Sequence, residues 1–159
     1  MNNISKRICS VVIVAITVLC MVLLAGCGGE TNDLEEFYSK VSESQKCLDI
    51  VADDIYTCWY DAIYKDKYFG DINMAIANAQ STNSTNLDKI EANESEIQAL
   101  YKKVRDSKYS DQVKDVMSAY SDYYEFVVNV SGSFNTFSAQ KETLKKKLAS
   151  ALKDLSLEL

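Results

Sequence analysis

Broken every seven residues, positions 34–62 read LEEFYSK VSESQKC LDIVADD IYTCWYD A. Leu34, Val41, Leu48, Ile55 and Ala62 open the successive blocks. Phe37, Val51 and Cys58 lie three residues further on, and Tyr38, Ala52 and Trp59 four further on. Residues spaced by three and four share one side of an α-helix, whereas a half-buried strand alternates every second residue. The spacing predicts an amphipathic helix with a wide apolar stripe, the form a bundle packs around. Thr31 or Asn32 can cap its start, and Glu35 and Glu36 suit the positive end of the helix dipole. The expected span is about 32–68, with Gly70 as the stop.

The same period continues downstream. Asp71 can cap a second helix, in which Ile76, Ile90, Ile97 and Val104 share a register that Asn83 interrupts. The polar run Ser81–Asn86 has poor helix propensity, yet the phase survives across it. A continuous helix over 71–106 is therefore favoured over a loop that restarts near 85. Ser110 can cap a third helix. There Val113, Tyr120, Val127, Phe134, Leu148 and Leu155 keep one phase, broken only by Lys141. The phase runs through Ser131-Gly132-Ser133, which favours one rod over 110–157. The fold expected is all-α, an antiparallel bundle of three long helices at about 32–68, 71–106 and 110–157. Its alternative is a four-helix bundle with a break near Gly132 and Ser133 as the cap. At 1.5 Å per residue the first two helices are about 54 Å long and the third about 72 Å, so an unbroken third helix overhangs its partners.

Composition supports that reading. The 159-residue chain has no proline and 5 glycines, two of which, Gly70 and Gly132, lie beyond residue 29. Long uninterrupted helices are the natural outcome. Histidine is absent, which removes the usual metal ligand and the usual acid–base group near neutral pH. The net charge is −6, so phosphate backbones are repelled and nucleic acid is not an expected partner.

The N-terminal end has a different character. Lys6 and Arg7 precede an apolar run from Ile8 to Leu24, and no acidic residue occurs before Glu30. The run closes on Leu24-Ala25-Gly26-Cys27. This segment resembles the signal peptide and lipobox of bacterial lipoproteins. The resemblance implies cleavage between Gly26 and Cys27 and lipid attachment at the Cys27 thiol. It implies a removed segment 1–26, a lipidated tether 27–31 and a single helical domain 32–159 on the extracytoplasmic face of the cell membrane. An uncut membrane anchor and a plain secretory signal are the competing readings.

Cys47 and Cys58 remain in the body. Eleven residues apart on one helix they are separated by about 16 Å along the axis, beyond the reach of a disulfide. Packed thiols are expected.

One stretch exceeds what a single core face needs. Tyr56, Tyr60, Ile63 and Tyr64 form a second apolar face beside the stripe that holds Trp59, and Tyr68-Phe69 follow. A helix apolar on two faces is either covered twice or carries a contact surface. Tyr56, Trp59, Tyr60, Ile63 and Tyr64 are therefore the candidate partner-binding residues, for a protein, peptide or glycan. Tyr120, Tyr123 and Tyr124 lie in the core register and read as packing. Lys141, Lys145, Lys146, Lys147 and Lys153 read as a solvated face, or else as a contact for anionic lipid or wall polymer. Asp53, Asp54, Asp61, Asp66 and Asp71 lack the compact alternation of a calcium loop. No metal, cofactor or catalytic residue is expected. The functions left are an interaction module, a passive structural lipoprotein, or a small-molecule binder between helices.

Overall fold

The computed structural model describes the side chains of residue 29 and residues 31–159. The expected lipid-attachment residue Cys27, the cleavage residue Gly26, and Leu24 and Ala25 lie outside the described residues. The helices are α1 (Asn3–Tyr64), α2 (Ile72–Thr82), α3 (Ser84–Val104), α4 (Ser110–Val128) and α5 (Phe134–Ser156), with a 3₁₀ turn at Lys67–Gly70. Among the described residues no strand occurs, and the helices pack as a bundle.

Three polar pairs set α3 antiparallel to α1. Asp33 meets Lys103 at 2.8 Å, Lys40 meets Glu96 at 2.6 Å, and Asn83 donates to Asp54 at 2.7 Å. Tyr120 lies beside Ser44 and Tyr123 donates to Asp49 at 2.9 Å, so α4 runs parallel to α1. Lys145 lies 3.2 Å from Asp49, while Lys141 lies 2.5 Å from Asp53, so α5 runs back down α1. The result is an up-and-down arrangement in which α1 touches every other helix. The stripe read from the first heptads faces inward: Leu34, Phe37, Val41, Leu48, Val51, Ile55 and Trp59 are all buried. Burying each such side chain contributes roughly 1.5–3 kcal/mol, which offsets the entropy of ordering the rods.

The one-rod expectation for 110–157 is corrected. The chain leaves the helix at Asn129 and re-enters it at Phe134. Gly132 takes φ +88, in the left-handed region that glycine tolerates, and the Ser133 hydroxyl caps α5 by accepting from Thr136 N at 3.2 Å. Folding back has a clear driving force. A rod of that length would carry Phe134, Phe137, Leu148 and Leu155 past the end of its partners. Reversed, Phe137, Leu148 and Leu155 are buried, and Phe137 stacks on Phe126 at 4.6 Å. The alternative with a break near Gly132 and a Ser133 cap is thus the arrangement adopted.

Smaller boundaries also move. Thr31 and Asn32 are themselves helical, so neither caps the start of α1 as expected. At its other end α1 stops at Tyr64 rather than near 68. The run Ser81–Asn86 is helical on both sides of a kink at Asn83, so neither a straight rod nor a loop describes it. Asn83 is buried there, its amide bonding Asp54 and the Ala79 carbonyl. Asp71 caps α2 as expected, accepting from Met74 N at 3.1 Å. Ser110 is the first residue of α4 instead of its cap. Cys47 and Cys58 are free, buried thiols.

Candidate functional site

The end of α1, the 3₁₀ turn and the start of α2 form one tip of the bundle. The Asp33–Lys103 pair marks the other tip, so the two lie a full bundle length apart. The tip is shaped by its turn. Asp66, Tyr68 and Phe69 adopt φ of 54, 56 and 55, and Gly70 follows at 73. Left-handed geometry costs a bulky L-residue about 1–2 kcal/mol, so something must hold it.

Two groups of contacts do. Asp61, nearly closed off from solvent, lies 2.8 Å from Lys65 and 2.5 Å from Lys67. The Lys65 ammonium first, and Lys67 with it, hold the Asp61 carboxyl below the usual carboxylate range. On the inner side, the Tyr68 hydroxyl donates to Cys58 Sγ at 3.3 Å, and Asn78 Nδ2 donates to that hydroxyl at 3.3 Å. The bond to Cys58, and then burial, push the Tyr68 phenol up to about 12. With Tyr68 anchored inward, its neighbour Phe69 is turned out, and 93% of its surface meets solvent.

The sequence-derived residues divide on this scaffold. Tyr64 is 60% exposed, Ile63 42% and Tyr60 37%. Tyr56 is half-buried and Trp59 is only 4% exposed. The cover comes from α5. Phe134 sits against Tyr56 at 5.1 Å, Trp59 at 6.0 Å, Tyr60 at 6.2 Å and Tyr64 at 6.1 Å between ring centroids. The aromatic face therefore grades from core at Trp59 to surface at Tyr64, where Tyr60 and Tyr64 pack at 4.7 Å. Trp59 belongs to the interior behind the face, not to its accessible part.

Three further apolar residues are exposed at this end of the bundle, on the side of α1 that carries Cys58. They are Phe69, Ile72 and Met74. Helix α2 packs on α1 and not on α4 or α5, which leaves its outer side uncovered. The available signal was the aromatic pair Tyr68-Phe69 beside Gly70, outside any helical stripe.

The remaining candidates resolve as packing or pairing. Tyr120 and Tyr123 are buried and Tyr124 is partly buried. Burial drives the Tyr123 phenol far up, reinforced by the Asp49 charge. Lys141, Lys145 and Lys147 pair with Asp53, Asp49 and Asp122, so three of the five lysines are engaged within the bundle. Among the described residues no cluster of His, Cys, Asp and Glu has the geometry to hold a metal ion. Among them, too, no helix is long and apolar enough to cross a membrane.

Compared with protein-family models, with curated proteins and with solved structures, the chain matches none. The class is the one its own fold and tip define: an up-and-down α-helical bundle with an exposed aromatic and aliphatic end.

Proposed function

We propose that this chain is a lipid-anchored helical interaction module on the extracytoplasmic face of a bacterial membrane, and that its tip contacts a protein partner. Cys27 carries the lipid and the bundle serves as a rigid spacer. The single observation that supports it most is the exposed set Tyr60, Ile63, Tyr64, Phe69, Ile72 and Met74 at the end remote from Asp33. Large apolar side chains exposed together, as Tyr60 and Tyr64 are, mark contact surfaces more often than singly exposed ones do. The turn adds weight, since strained left-handed residues persist where surrounding contacts enforce them. Its effect is to display Phe69, a side chain that anchors protein interfaces when it enters a pocket. The module acts by binding and carries no catalytic group. The glycan or small-molecule alternative uses the Tyr/Trp-rich surface, of which Trp59 is covered by Phe134.

The test is site-specific photocrosslinking of the full chain in its native host. A photoreactive residue at Tyr64 should give one discrete adduct, and the same residue at exposed Ser121 should give none. Adding Ile63→Ser and Phe69→Ser should abolish the Tyr64 adduct while helicity is retained. Equal adducts from positions 64 and 121, or indifference to the two serines, would leave a passive structural lipoprotein as the better account. Separately, Cys27→Ala should shift the protein out of the membrane fraction.

A further inference from the structure

The turn between α1 and α2, residues 65–71, is secured by few contacts. None of residues 67–70 is buried, and only Tyr68 among them is half-covered. Asp71 N donates to the Tyr68 carbonyl at 2.9 Å and closes the turn. Asp66, Tyr68 and Phe69 are left-handed, and each gains energy by returning to an ordinary conformation. Lys65 and Lys67 hold Asp61, but both lysine side chains are more than half exposed, where such pairs contribute modestly.

The remaining tie is Tyr68. Its hydroxyl donates to Cys58 Sγ at 3.3 Å and accepts from Asn78 Nδ2 at 3.3 Å, so one phenol spans from α1 to α2. Asn78 Nδ2 also lies 3.9 Å from the same sulfur. Under this contact Cys58 is 6% exposed. Cys47, further up the same helix, is 7% exposed and lies towards α3, with Lys89 nearby. The two thiols have the same static cover. One is beneath a strained turn, and the other is between packed helices. Segments with few buried contacts are the ones that open locally, without the rest of the fold.

We propose that residues 65–71 form a strap that opens as a local unit while the bundle stays folded, with Tyr68 as its latch. In the closed form the backbone is left-handed, Tyr68 points in and Phe69 points out. In the open form Tyr68 leaves Cys58 and Asn78, the strained residues relax, and the Cys58 thiol is uncovered. Phe69 loses its fixed position in the same step, so the strap regulates what the tip displays. That last consequence rests on the tip being a contact surface; the opening itself does not.

The experiment is alkylation of the full chain by iodoacetamide under native conditions, with Cys58 and Cys47 followed separately by peptide mass spectrometry. Cys58 should react at least about tenfold faster than Cys47. Tyr68→Phe keeps the ring and removes both hydrogen bonds, so it should speed Cys58 about fivefold and leave Cys47 unchanged. Asp66→Gly relieves one left-handed residue whose side chain makes no cap bond, so it should slow Cys58 about fivefold. A turn that opens only with the whole bundle would give matching rates at the two thiols. A thiol reached through a fixed gap would be indifferent to Asp66→Gly. Either result overturns the proposal. Loss of the Tyr64 photocrosslink would instead remove the contact surface and leave the strap standing.

Discussion

Lys141, at a core position of α5, places its ammonium 2.5 Å from Asp53 Oδ1 on α1. The same ammonium lies 4.7 Å from the centre of the Tyr56 ring. Lysine thus interrupts the apolar register without leaving a buried charge unpaired. Its stem fills the seam, while its head reaches a carboxylate that is half open to water. Because Asp53 stays solvated, most of the stabilisation should come from the stem. Lys141→Ala should cost about 1–2 kcal/mol in urea unfolding. Lys141→Met, which keeps the stem and restores the register, should stay within about 1 kcal/mol of the parent. Equal losses for the two variants would assign the energy to the ion pair instead.

The reversal between α4 and α5 depends on backbone conformation more than on space. A β-carbon added at Gly132 would meet only Thr136, at 3.9 Å, so it would not clash. The φ of +88 is the obstacle, and Gly132→Ala should cost about 1–2 kcal/mol. Ser133→Ala removes the cap and should cost about 1 kcal/mol. Thermal melts followed by circular dichroism measure both. A Gly132→Ala protein that gains helicity and lengthens in solution scattering would mean the unbroken rod is the preferred state.

These two positions show what heptads can and cannot convey. The inward stripe from Leu34 to Trp59 was readable because burial follows directly from helical period. The break at Gly132 was not, because the phase of Val127 and Phe134 is unaltered by five residues that happen to leave the helix. The cover that Phe134 gives Tyr56 and Trp59 was hidden for the same reason, since that ring reaches them only after the chain reverses. Ile63 and Tyr64 were legible as a second face. Phe69 was not, because its exposure depends on the left-handed turn and on the anchoring of Tyr68, neither of which has a period.

Asp61 ties the tip turn together through two lysines, and that tie has a defined pH dependence. Its folded pKa is depressed, chiefly by Lys65 and then by Lys67. The stabilisation is therefore fully present above the ordinary carboxyl pKa and is lost as pH falls through the lowered folded value. Asp61→Asn should show a flatter loss of stability on acidification than the parent, the two converging at the acid end. At neutral pH the variant should be cut faster by trypsin after Lys65 and Lys67, since both lysines lose their acceptor. Parallel acid profiles for the two proteins would place the pH dependence elsewhere.

The tip combines a covered aromatic core with an exposed rim, and two phenylalanines separate the roles. Phe134 lies over Trp59, whereas Phe69 points into solvent. Trp59 is the only tryptophan in the chain, so its fluorescence reports this site alone. Phe134→Ala should cost about 2–3 kcal/mol, less than a fully buried phenylalanine because the side chain is half open. It should also shift Trp59 emission to the red and admit acrylamide quenching. Phe69→Ala should change stability by no more than about 0.5 kcal/mol and leave the emission unmoved. If the tip is a contact surface, Phe69→Ala is then the variant that loses partner crosslinking while remaining fully folded. A red shift or a clear destabilisation in Phe69→Ala would mean that this ring packs against the bundle in solution, and that its exposure does not mark a surface kept free for a partner.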